Sequence, residues 1–525
     1  MNTILGELGK SQKFVELIKN IEEKQSPIGI SGLSNVGMLE IIASINEYAK
    51  KPVAIITYNE IQAKWIIENL QFFTDKAIYF PKKDIVTYDY VAESKDLPYA
   101  RIEALNKLNS KRNYIFVTTI EAAMQKLPAK ELLYKNVLKF KVGEVQSLEK
   151  IKQDLVNLGY TRCDLIEGRG QFSLRGGILD ISINDAIGVR IEFWGDEIDS
   201  IRNFNIVSQR SINTLEKVEI EPAHEYILEK PIEEICKKVR KTIVNDLQED
   251  IIEQDIEQIK AGNYISKIDK YFDCFYDKQE TVIDYLNQNS IITFDEIRKI
   301  EQRAQNVIKD NDNLIKNLIE KGKVVPQAIS NIQPFSSIEK LVEESKKATL
   351  YIEKQDNKID RQAQNYNFSY RVINYFKSEI ETLFADIKKA QEQGKNLYVV
   401  VATKEKAKKL QEILEKENIM CKIEEKLDKT IIVKSQEKII TIVVGKLTEG
   451  FENYDINQVV IAADELIEGG KKKKTFAHQA YKEGEKVVFA DLKIGDYVVH
   501  KNYGIGIYIG VNTITADGTT KDYIK

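Results

Sequence analysis

Short apolar runs separated by helix-length stretches open the chain. The runs at 28–31, 53–57, 77–80 and 114–118 read as buried strands, and 38–48 and 61–73 read as the helices between them. Strands of this kind alternating with helices of 10–15 residues predict a parallel sheet covered on both faces. From about 130 to 218 the period changes to two. In Gln171-Phe-Ser-Leu-Arg175, Phe172 and Leu174 point one way while Gln171, Ser173 and Arg175 point the other. The run 189–194 reaches Gly195-Asp196, which suits a two-residue turn with glycine first, and 197–204 returns as the second arm of a hairpin. Residues 219 to 330 are mainly helical and highly charged, with one apolar strand at 291–294. A further α/β unit follows over 336–466, with strands at 397–402, 438–444 and 459–462 and a helix at 404–416. The segment from 492 to 525 is again β-rich.

A chain of 525 residues exceeds a single core, so three or four domains are expected. With 43% hydrophobic and 30% charged residues it has a globular composition. A net charge of −4, from 77 basic and 81 acidic residues, does not mark the whole chain as a nucleic-acid binder. The cysteines Cys163, Cys236, Cys274 and Cys421 are scattered and only three histidines are present, which argues against a structural metal and for free thiols in a reducing, cytoplasmic compartment. No apolar run approaches the ~20 residues of a membrane span, so no membrane partner is expected.

Two stretches have the spacing of a nucleotide site. Gly32 and Gly37 bracket a Gly-x4-Gly turn between a strand and a helix. A phosphate loop continues with Lys, for the β/γ-phosphates, and Ser/Thr, for Mg²⁺; here those positions are Met38 and Leu39. Asp295 and Glu296 end the 291–294 strand as an acidic Walker-B-type pair would, but without the Lys-Thr partner. The expectation is a degenerate ATPase fold with no cofactor and no catalytic residue. The Gly445–Phe451 stretch superficially matches a Glu-Gly-Phe helicase motif and reads more simply as a strand-to-helix turn with positive-φ glycines. Lys471 to Lys474 read as a solvated linker.

The block 159–180, GYTRCDLIEGRGQFSLRGGILD, places Arg162, Arg169 and Arg175 on or beside one small sheet. Periodicity alone is also satisfied by an ordinary sheet with solvated arginines. The motifs Tyr-x-Arg-x-Asp, Arg-Gly-x-Phe-x-x-Arg-Gly and Phe-Trp-Gly-Asp-Glu-Ile-Asp-Ser-Ile-Arg resemble the UvrA-interaction domain shared by the excision-repair protein UvrB and the bacterial transcription-repair coupling factors. The resemblance implies UvrA contacts at Arg162 and Arg175, with Arg169 beside them and Phe172 holding the strand to its core. A third family arginine is Ser173 here. Lys83-Asp84, Tyr88-Asp89-Tyr90, Ala100-Arg101 and 115–120 resemble further UvrB-type segments. About ten residues separate Tyr90 from the next helix, expected near Ala100, which leaves no room for UvrB's long DNA-inserting hairpin.

At the other end, Gly495-Asp-Tyr-Val-Val-His500-Lys-Asn-Tyr-Gly-Ile-Gly506 is similar to the RNA-polymerase-interacting domain of CarD regulators and coupling factors. The similarity implies a small Tudor-like barrel whose edge, here Ile509, Val511 and Ile514, pairs with the RNA polymerase β subunit. Such a barrel needs more chain than lies before Lys525, so it is expected to be truncated and to bind polymerase weakly.

The fold expected is therefore α/β multidomain. A UvrB-like degenerate P-loop domain (1–130 and 219–335) carries a UvrA-interaction insert (131–218). It is followed by a second α/β domain (336–468), a linker (469–488) and a truncated CarD-type barrel (489–525). The resemblance implies a monomeric, non-catalytic recruitment scaffold from the N-terminal half of a coupling factor. The ATP- and Mg-dependent motor that translocates on double-stranded DNA would lie in the rest of such a protein. A UvrB-type helicase and a CarD-type transcription regulator are the alternatives.

Overall fold

A computed structural model describes residues 3–23, 26–83, 96–243, 246–261, 265–320, 332–354, 364–373, 380–424, 439–464, 495, 497–500, 504–516 and 519–524. Tyr88-Asp89-Tyr90 and the lysines 471–474 lie outside them.

The first sheet has seven parallel strands in the order Gln364–Asn367, Ile28–Ser31, Thr349–Ile352, Ile291–Asp295, Val53–Thr57, Ile115–Thr119, Ala77–Phe80. Alternate residues of Val53–Thr57 enter two separate cores. Ala54 and Ile56 face one with Phe80, Phe116 and Phe294, whereas Val53 and Ile55 face the other with Ile30, Met38 and Leu350. Burial on both faces accounts for the unbroken apolar strands. The sequence pattern starts the next domain at 336, but Thr349–Ile352 and Gln364–Asn367 belong to this first sheet. Their short apolar content could not announce which sheet they would join.

The insert is a six-stranded sheet in the order Ser211–Leu215, Glu197–Asn205, Ile187–Trp194, Ile178–Ser182, Gln171–Arg175, Thr161–Arg162, antiparallel except for the last pair. The hairpin forms as its sequence asks. Trp194 pairs with Glu197, and Gly195 between them has φ 64, a value that glycine adopts without a Cβ clash. Helix Leu148–Asn157 packs Ile151 and Leu155 into the core that holds Phe172, Leu179, Ile181, Val189 and Ile191.

The third unit is a mixed six-stranded sheet, ordered Tyr370–Ile373, Gly450–Asn453, Gln458–Ala462, Asn396–Val401, Ile440–Val444, Cys421–Glu424. Gly450 opens a strand here rather than a strand-to-helix turn, and neither Gly445 nor Gly450 has positive φ. Both are glycine for space: a Cβ on Gly445 would lie 2.6 Å from the Phe72 ring, and one on Gly450 2.5 Å from the Val460 carbonyl oxygen.

At the C-terminal side, Tyr497–His500 pairs with Gly504–Ile507 and Val511–Ala516 with Thr519–Ile524, giving two antiparallel hairpins. Among the described residues these remain two separate two-stranded sheets. The four cysteines are free, and no described helix is long and apolar enough to cross a membrane.

Candidate functional site

The Gly32–Gly37 turn joins the strand Ile28–Ser31 to a helix, and the space around it is filled. Gly32 has φ 73 and leads into helix Asn35–Ala49, whose N-cap Ser34 accepts a 2.9 Å hydrogen bond from the Gly37 N–H. Met38 and Leu39 point into the core and are completely buried. The incoming chain at 367–370 lies across the turn: the Tyr370 N–H donates to the Gly32 carbonyl at 3.1 Å. A Cβ on Gly37 would run into the Tyr370 ring. The helix N-terminus, where the dipole favours an anion, is met by a protein carboxylate instead of phosphate. The Val36 N–H donates to Glu449 Oε1 at 3.2 Å. Glu449 belongs to the Glu-Gly-Phe stretch, so that stretch joins the third unit to the first.

The acid that ends the strand Ile291–Asp295 is held from within the chain through one oxygen, while its Oδ1 is buried without a hydrogen-bond partner among the described residues. Asp295 is fully buried, and its Oδ2 accepts from Thr57 Oγ1 at 2.9 Å and Gln62 Nε2 at 3.2 Å. Lys354 Nζ stands 3.7 Å from Asp295 Oδ1 and 3.3 Å from Glu296 Oε2. Burial pushes the Asp295 carboxyl above its usual range against the pull of Lys354. Burial acts on Glu296 in the same sense, but Lys299 and Lys354 outweigh it and hold that carboxyl below its usual value.

The insert offers a different chemistry. Paired residues of neighbouring strands share a face. Arg175 pairs with Ile178, Ser173 with Asp180, Asp180 with Arg190, and Arg190 with Arg202, so all six lie on the face away from the core. Asp180 is only 1% exposed and holds two of the arginines, Arg175 and Arg190. Arg190 grips it with both arms of the guanidinium, Nε to Oδ1 at 2.6 Å and Nη2 to Oδ2 at 2.8 Å, while Arg175 Nη2 reaches Oδ2 at 3.1 Å. The hydrogen bonds that Arg190 donates to the Asp180 carboxylate raise the Arg190 pKa above its ordinary value. Arg190 also lies 4.4 Å over the Phe204 ring. Arg175 itself stays 51% exposed, anchored at one end and open at the other.

Two expectations for this site change, those for Arg162 and Arg169. Arg162 pairs with Phe172 in the parallel register, which puts it on the opposite face from Arg175, at the exposed sheet edge near Glu149. Arg169 is occupied within the chain: it bonds Glu103 and Asp185, each at 2.8 Å, and so clamps the insert to helix Asp96–Ser110. Phe172 is completely buried and holds the strand to its core, as expected, while Ser173 on the opposite face is also buried, its hydroxyl donating to the Asp164 carbonyl at 2.7 Å. Asp180 and Arg190 were not singled out in the sequence, although an Asp placed at an alternating position of an apolar strand was a usable signal. Of the C-terminal residues, Ile509 is exposed and precedes the strand, while Val511 and Ile514 lie on Val511–Ala516.

A family model described as the UvrB interaction domain matches residues 138–226, and one described as the CarD-like/TRCF RID domain matches 492–525. The transcription-repair-coupling factor of Bacillus subtilis is 29% identical over 543 residues, covering 100% of this chain and 45% of its own length. That of Staphylococcus aureus is 28% identical over 544 residues, with the same coverage, and that of Staphylococcus epidermidis 29% over 520 residues, covering 95% and 43%. The chain thus spans less than half the length of these curated relatives. Along its whole length it is similar to the transcription-repair-coupling factors, and it carries a UvrB interaction domain and a CarD-like/TRCF RID domain.

Proposed function

We propose that this chain is the recruitment part of a transcription-coupled excision-repair factor, binding UvrA through the insert and RNA polymerase through its C-terminal hairpins. The observation that carries the reading is the half-exposed Arg175, held by a buried carboxylate on the open face of the domain that matches the UvrB interaction model. Arg162 would extend the contact around the sheet edge. The hairpins would belong to a Tudor-like barrel, and the strand Val511–Ala516, paired on one side with Thr519–Ile524, would offer its other side to the polymerase β subunit. ATP, Mg and translocation on double-stranded DNA would belong to the rest of such a protein. The chain would act as a monomer in the cytoplasm.

Arg175→Ala should weaken UvrA binding roughly 30-fold, the loss typical of a central interface arginine. Arg175→Lys should recover part of it, because an ammonium lacks the planar fork. A calorimetric titration of UvrA into residues 1–525 decides this. Native affinity in both Arg175→Ala and Arg162→Ala would place the interface elsewhere.

Residues 1–525 should show no ATP turnover with or without DNA. This expectation rests on Met38 and Leu39, and on the Glu449 carboxylate at the helix N-terminus. Turnover abolished by Asp295→Ala would revive the UvrB-type helicase reading.

A further inference from the structure

We infer that Trp194 is the apolar anchor of the partner-binding face, a role that rests on the UvrA reading above and adds a residue to it. Trp194 is 84% exposed at the tip of the Ile187–Trp194 and Glu197–Asn205 hairpin. A lone exposed apolar side chain carries little meaning. Here three further observations converge.

The first is placement. On the strand Ile187–Trp194, Val189, Ile191 and Phe193 enter the core, and Arg190, Glu192 and Trp194 point to the opposite face. Ile178 pairs with both Glu192 and Arg175 and is itself 38% exposed. Trp194, Ile178 and Arg175 therefore share one end of one face.

The second is rigidity. The Phe193 N–H donates to the Gly177 carbonyl at 2.7 Å, which fixes the strand directly before the indole. The tip is braced from the side, with the Gln146 N–H bonded to the Asp196 carbonyl at 2.8 Å and the Ile198 N–H to the Glu144 carbonyl at 2.9 Å. An indole presented on a braced hairpin loses little freedom on binding.

The third is the rim. Arg175 lies two strands away on the same end of the face, across Ile178, and the exposed Glu197 pairs directly with Trp194. The opposite end of the same face is closed by Ile166, Phe204 and Ile206, with Cys163 against them. An exposed aromatic side chain with charges of both signs on the same face is the composition of an interface hot spot. The partner surface that fits is an apolar cleft of indole size, with a carboxylate toward Arg175 and a cationic or donor group toward Glu197. We assign that surface to UvrA, because the anchor is continuous with Arg175.

The chain has two tryptophans, so Trp65→Phe leaves Trp194 as the sole indole reporter. In that background, adding UvrA should shift the emission to the blue and quench iodide access as the indole is covered. Trp194→Ala should weaken UvrA binding tenfold or more, as hot-spot truncations do, and Trp194→Phe should retain most of the affinity. Because the side chain is exposed, the melting midpoint should stay at the native value, which separates lost contact from lost fold. Native affinity in Trp194→Ala, or an unshifted emission while UvrA binds, overturns the assignment and leaves the Arg175 reading standing. If the native chain does not bind UvrA at all, both fall.

Discussion

Arg101→Ala should destabilise the protein by about 3–5 kcal/mol, the usual cost of removing one partner from a buried ion pair. Arg101 and Glu225 are 1% and 3% exposed, and Arg101 Nε bonds both Glu225 oxygens, at 3.0 and 2.9 Å. Its Nη1 donates to the Pro81 carbonyl at 2.7 Å and to Gln125 Oε1 at 3.0 Å, and its guanidinium lies 4.2 Å from the Phe80 ring centroid. Alanine would strip four acceptor contacts and strand a carboxylate away from water. The pair also ties helix Asp96–Ser110 to the segment that leaves the insert, so its loss should loosen the insert's attachment. Replacing both partners, Arg101→Met with Glu225→Leu, should recover most of the stability, since no buried charge remains. Urea midpoints of the two single variants and the double variant test this. A single variant within ~1 kcal/mol of native would show that the site relaxes to admit water.

Glu40→Gln should raise stability at pH 8.5 and leave it nearly unchanged at pH 5. Glu40 is fully buried on helix Asn35–Ala49; its Oε2 accepts from Tyr370 Oη at 2.6 Å, and that oxygen accepts from Asn453 Nδ2 at 2.8 Å. Burial pushes the Glu40 carboxyl up to about 8, outweighing the bond from Tyr370. The sign follows from proton counts. Between the ordinary value of 4.5 and about 8 the folded protein holds a proton that the unfolded chain has released. Stability therefore falls as pH rises through that window and levels off above it, by an amount on the order of 5 kcal/mol in the limit. A neutral glutamine removes the dependence. Urea midpoints at the two pH values provide the measurement, and an equal effect of Glu40→Gln at both would mean that Glu40 is ionised throughout.

Much of this architecture is legible in the sequence because local rules and tertiary packing agree. The strands at 28–31, 53–57 and 77–80 have the bounds their apolar runs suggest, and Gly195-Asp196 turns where expected. What stays hidden depends on register or on distant partners. Period-two alternation orders residues within Gln171–Arg175 but cannot say that Thr161–Arg162 joins it in parallel, which separates Arg162 from Arg175. Arg169 looks like a free guanidinium until Glu103, 66 positions away, is brought beside it. That Gly32–Gly37 lacks the lysine and hydroxyl of a phosphate loop is legible at Met38 and Leu39. The occupation of the turn by Glu449 is not, since 413 positions separate that carboxylate from Val36.

That occupation leaves no room for a nucleotide at the turn. Changing Met38 to lysine and Leu39 to threonine would restore the text of a nucleotide motif without restoring a place for nucleotide. Both positions face the core, Tyr370 covers Gly37, and Glu449 already neutralises the helix N-terminus. A returning phosphate would have to displace an entire neighbouring unit, which is also held by Thr448 on Asn69 and by Trp65 on Thr448. The turn serves as a joint between the two units. Tyr370, Glu449, Thr448 and Trp65 each tighten that joint, so the Gly32–Gly37 turn works as a packing seat for the neighbouring unit.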